Sequence, residues 1–198
     1  YAGDADAGVR GAAIGTIGLL GDEKQAADLV KLLQKAQTPR EREDIEKALA
    51  GISGRRGANC LPSVLPLVQS GDKELRMVGL RVLTSVGGAT ALAAVKSAME
   101  DKDEAVQNEA VRSLSSWPGN WPEDAGVAEP LLTLARSGKK TSHQVLGLRG
   151  YLEYVQVDKR LQNNEKVAKV KDLLPLIKRP EEKRLAISAL ETAPTVES

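Results

Sequence analysis

Phenylalanine is absent from this 198-residue sequence, and aromatic residues of all kinds make up 3% of it. It has one cysteine and one histidine, and Lys+Arg 28 against Asp+Glu 27 leaves a net charge of +1. A lone Cys60 cannot close an intrachain disulfide, so the redox compartment stays open. With His143 it also falls short of a metal-ligand set, so no metal and no cofactor is expected. No run approaches the ~18 apolar residues of a spanning helix, so no transmembrane segment is expected. The near-zero charge supplies no field toward nucleic acid or membranes. The first residues, Tyr1-Ala2-Gly3-Asp4, have no initiator Met, basic region or apolar core of a leader. They read as the cut end of a longer or processed protein.

A core short of aromatic rings has to be filled by small and branched aliphatic residues. The stretch from Asp6 to Asp22 shows how: a capping aspartate, then Val9, Ala12, Ala13, Ile14, Ile17 and Leu20 at helical spacing. Gly21 is expected to end that helix in a left-handed conformation, and Asp22 to cap a partner helix. Variants of this hairpin return about every 31 to 39 residues, in the range of helical repeats. One register runs through Ile17, Leu49, Leu83, Leu114, Tyr151 and Leu190. Four residues before each stands Ala13, Ile45, Gly79, Ala110, Gly147 or Ala186, nearly all small enough for close helix approach. A second register aligns Leu29–Leu33 with Val64–Val68 and Leu173–Ile177. Pro66 and Pro175 share one position in it, which predicts either matching kinks or helices that start later than the register suggests.

The pattern Asp6-x-x-Val9-Arg10-x-Ala12-Ala13, with its echo in Asp72-x-x-Leu75-Arg76, resembles the HEAT-repeat family. The resemblance spans nearly the whole chain. It implies an all-α, right-handed superhelix (an ARM-like solenoid) of five helical hairpins plus a terminal helix, a single domain over 1–198. It also implies that Arg10 and Arg76 are structural, linking the turns of successive repeats. Gln107 stands at the arginine position of the fourth repeat, which predicts an interrupted ladder. Segments around Ser116–Pro118, Ser142–Tyr151 and Lys178–Lys183 are similar to HEAT segments of exported Bacteroidetes, Planctomycetes and Verrucomicrobia proteins. Those accompany sugar-active domains of the 3-keto-disaccharide hydrolase type, or haem-binding domains, so the likeness implies an extracytoplasmic setting.

Nothing in the sequence assembles a catalytic constellation. Cys60 sits among apolar neighbours and reads as a buried structural thiol. His143 opens the fifth repeat, where it serves either as a capping or tertiary hydrogen-bonding group or as a ligand contact. Basic pairs at Arg55-Arg56, Lys139-Lys140 and Lys178-Arg179 fall near turns with acids interspersed, which reads as solvated loops rather than a DNA-binding face. The interruption Trp117-Pro118-Gly119-Asn120-Trp121-Pro122 reads as a shaped loop, its rings either plugging a gap or offering an aromatic edge to a partner. Trp117, Trp121 and His143 are thus the candidate partner-binding residues, and Arg10, Arg76, Gly79 and Gly147 the structural repeat positions. The expected function is a non-catalytic protein–protein interaction or scaffolding module, serving a protein partner or neighbouring domains. The alternatives are an accessory module of an exported sugar-active or haem-binding enzyme, and a HEAT-like enzyme on nucleic acid. The first helix, apolar around most of its circumference, predicts that the native chain continues before Tyr1.

Overall fold

The computed structural model describes residues 1–193. Among these residues it holds twelve α-helices, three short 3-10 turns and no strand. The helices are α1 (Ala7–Leu20), α2 (Glu23–Leu33), α3 (Pro39–Arg56), α4 (Leu61–Val68), α5 (Lys73–Val86) and α6 (Gly88–Ala98). They continue as α7 (Glu104–Ser115), α8 (Trp117–Asn120), α9 (Ala128–Ser137), α10 (Thr141–Val157), α11 (Asn163–Leu173) and α12 (Pro180–Glu191). Two compact units result, Tyr1–Ala110 and Val111–Ser198.

Local chemistry starts the helices where the sequence predicts. The Asp6 carboxylate accepts from Val9 N at 2.9 Å, and Asp22 forms a reciprocal capping box with Gln25. Thr38 caps α3 ahead of Pro39, and Asp72 caps α5. In the first unit, α1, α3 and α5 lie side by side, and so do α2, α4 and α6. Each second helix packs on the first helix of the following hairpin, α2 on α3 and α4 on α5. In the second unit α10 is central, touching α8, α9, α11 and α12. Within each unit this is the layered packing of an all-α helical solenoid. The core follows the register: Leu49, Leu83 and Leu114 are completely buried and Tyr151 nearly so, whereas Ile17 on α1 and Leu190 on α12 are half-buried.

Three expectations are corrected. Gly21 is extended (φ −69, ψ 163), not left-handed. Glycine is needed there for room, because a Cβ would lie 2.6 Å from Ile17 O and 3.0 Å from Ile52 Cδ1. Trp117–Asn120 is a single helical turn rather than a loop, with Pro118 near its start where a missing N–H costs nothing. Pro66 lies inside α4, but α11 ends at Leu173 and Pro175 falls in a 3-10 turn, so the two prolines do not make matching kinks.

Candidate interaction surface

Each repeat turn is closed by one side chain from the helix that follows it. Arg10 Nη1 donates to Asp4 O at 2.7 Å, Arg42 Nε to Ala36 O at 3.3 Å and Arg76 Nη1 to Ser70 O at 2.8 Å. Gln107 Nε2 donates to Asp101 O at 2.6 Å and Gln144 Nε2 to Gly138 O at 2.9 Å. A buried carbonyl without a donor costs about 1–3 kcal/mol, so these bonds hold the turns in shape. The break expected at Gln107 is therefore absent from turn closure, since an amide N–H satisfies the same carbonyl as a guanidinium. What Gln107 lacks is charge. Arg76 reaches on to Asp101 of the next turn, with Nη2 3.2 Å from Oδ1 and Nε 3.1 Å from Oδ2.

A second set of charges ties neighbouring first helices together. Arg81 on α5 makes a two-pronged pair with Glu46 on α3, Nε–Oε1 2.6 Å and Nη2–Oε2 2.8 Å. It also lies 3.3 Å from Glu109 on α7, and these partners raise its pKa further. In the second unit Asp158 is buried and accepts from Arg160 N, Nε and Nη2 at 2.7–2.9 Å. The Arg160 guanidinium holds the Asp158 carboxyl down at about 2. Burial, with a hydrogen bond to Asp158, pushes Tyr154 up to about 12. Burial alone pushes the Glu153 carboxyl up, and its Oε1 lies against Gly119.

The small repeat positions Gly79 and Gly147 make close contacts. A Cβ on Gly79 would meet Leu67 Cβ and Val68 Cγ1 at 2.9 Å, and one on Gly147 would meet Leu134 Cβ at 2.5 Å. The candidate partner-binding residues are placed differently. Trp117 is 0% exposed, its Nε1 donating to Asp124 Oδ2 at 3.0 Å, and His143 is 7% exposed on α10. Both are removed from the surface because α10 packs its helical face on α8 and α9. Trp121 alone stays half-buried, closing the turn through its N–H to Trp117 O at 2.8 Å. Cys60 is fully buried and its thiol pKa is pushed up by that burial. Among the described residues no His, Cys, Asp and Glu gather in a group able to hold a metal, and no helix is long and apolar enough to cross a membrane.

The apolar first helix expected from the sequence is α1. Two grooves run between α1 and α3, of about 160 and 270 Å³, sharing Gly11 and Asp44 in their walls. Beside them Leu19 is 73% and Leu20 81% exposed, the most open aliphatic side chains of the helical core.

Stacked hairpins with clamped turns define an all-α helical-repeat protein. Residues 61–142, from α4 to the start of α10, match the family pattern of HEAT repeats. No curated protein sequence matches the chain. Among solved structures it is similar to a crystallised engineered protein from a structural genomics consortium, at 18% identity and a TM-score of 0.49, over 97% of this chain and 93% of that one.

Proposed function

We propose that this chain is a non-catalytic protein-interaction module whose binding surface centres on α1. One observation carries the reading: the charges of Arg76, Arg81 and Asp158 are spent on turns and helix pairs, whereas α1 turns large apolar side chains to solvent. HEAT repeats as a class serve as protein-interaction scaffolds, which supports the same reading. The partner is another protein chain or a neighbouring domain of the parent polypeptide, and the resemblance to exported HEAT segments supports an extracytoplasmic setting. Site-specific photocrosslinking in the native cell tests it. A photoreactive residue at Leu19 should yield discrete protein adducts, and one at Ala93 on α6 should not. Equal labelling at both sites, or none at Leu19, refutes the reading.

A further inference from the structure

The acids buried among the described residues, Glu109, Asp158 and Glu182, are each paired with an arginine, Arg81, Arg160 and Arg179. Glu153, half-buried on α10, has no such partner. Its Oε1 lies against Gly119 of α8, so close that a Cβ on that glycine would stand 2.7 Å away. Among the described residues no hydrogen bond or ion pair reaches this carboxylate, and burial pushes its pKa up with no charge to offset it.

The charges on the elements around α10 are engaged elsewhere. α8 itself has no titratable side chain, and α7 touches α10 through Ser115 Oγ, which donates to Leu146 O at 2.7 Å. Arg149, one turn before Glu153, lies 3.7 Å from Glu181 of α12, and Arg136 of α9 pairs with Asp172 of α11. On α11, Lys166 Nζ donates to Gln156 O at 3.0 Å and Lys169 Nζ to Tyr151 Oη at 3.5 Å. Beyond α8, Asp124 accepts from Trp117 Nε1. His143 stands ten residues earlier on α10, about 15 Å along the helix. The ionised Glu153 carboxylate therefore needs water that Gly119 displaces, whereas the neutral acid does not. By linkage, α8 seated on α10 favours the protonated acid, and the ionised acid favours α8 displaced.

We propose that Glu153 is a proton-operated latch: protonated, it seats the end of α8, Gly119 to Trp121, against α10, and ionised, it releases that end to water. The start of α8 does not follow, because Trp117 is fully buried and bonded to Asp124, and Pro118 is buried beside it. The half-buried Trp121 is the side chain whose exposure changes. A carboxyl of raised pKa stays protonated at a pH where an ordinary glutamate has ionised, so the latch closes before acid reaches the Asp158 pair. The device is independent of the protein-binding reading of α1.

Tryptophan emission tests it, because Trp117 and Trp121 are the two tryptophans of the chain. In the purified protein, raising the pH from about 4 to about 8 should move the emission to longer wavelength, with a one-proton midpoint above the ~4.3 of an ordinary glutamate. Quenching by acrylamide should rise over the same range, while far-ultraviolet circular dichroism keeps its helical form. Glu153→Gln, which copies the protonated acid, should hold the short-wavelength emission throughout. Gly119→Ala should abolish the transition, because its Cβ occupies the place of Oε1. Trp121→Phe should leave an emission from Trp117 that ignores pH. A flat emission in the wild type overturns the proposal, since the carboxylate then swings into water with α8 in place. A shift that survives Glu153→Gln also overturns it, assigning the titration to another group such as His143. So does a shift that survives Trp121→Phe.

Discussion

The guanidinium of Arg76 closes its own turn at Ser70 O and at the same time grips the Asp101 carboxylate of the next turn, Nη2 to Oδ1 at 3.2 Å. Arg76 is 5% exposed, so this is a buried ion pair linking two successive repeats. Removing one member of such a pair leaves the other charge and two backbone carbonyls without their donor. Arg76→Ala should cost about 3–5 kcal/mol in urea unfolding. Arg76→Gln copies the geometry found at Gln107, keeps the bond to the turn and loses the ion pair alone, at about 1–2 kcal/mol. Equal losses for the two variants would show that the turn bond contributes nothing.

Two glycines on helices should respond to alanine in opposite directions. At Gly147 a Cβ would lie 2.5 Å from Leu134 Cβ and 2.7 Å from Ala135 N, so Gly147→Ala forces α9 and α10 apart. The expected loss is about 1–3 kcal/mol. At Gly15 nothing lies within 4 Å of the added methyl. Gly15→Ala should therefore stabilise by up to ~1 kcal/mol through helix propensity. Thermal denaturation of both variants decides it, and a raised melting temperature for Gly147→Ala would reverse the assignment of that helix face.

Acid should weaken the second unit through Asp158. Its carboxyl is held at about 2 in the folded chain by Arg160, below the ordinary value of ~3.9 for the unfolded state. A depressed acid stabilises above its unfolded pKa, and that stabilisation is lost as pH falls from about 4 through 2. The full shift corresponds to about 2.6 kcal/mol, but Arg160 is half exposed, and solvent screening reduces this to about 1–2 kcal/mol. Asp158→Asn should lower stability by that amount at neutral pH and flatten the fall between pH 4 and pH 2. An unchanged acid limb would exclude Asp158 as its source.

The repeat spacing was legible because the buried positions Leu49, Leu83, Leu114 and Tyr151 recur about every 31 to 37 residues, each with a small or apolar residue four positions before it. The role of Gln107 was not, because the turn selects for an N–H at a given reach and two residue types supply it. The burial of Trp117 and His143 was equally hidden. A helix such as α10, with apolar residues on several sides, does not declare which face docks on its neighbours. Trp117-Pro118 reads as a turn by residue type, yet proline near the start of a helix leaves that helix intact. The open side of α1 could be read directly, since Val9, Leu19 and Leu20 have no polar counterpart on the helix.

That open side makes the last prediction one of dynamics. α5 buries Arg76, Val78, Gly79, Leu80, Val82, Leu83 and Val86, while α1 buries only Ile14 and Gly18. A helix held by few buried contacts opens at lower free energy than one held on every side. Hydrogen exchange in the purified chain should therefore protect residues 9–20 less than residues 75–86. Equal protection of both helices would mean that α1 is already held as firmly as α5.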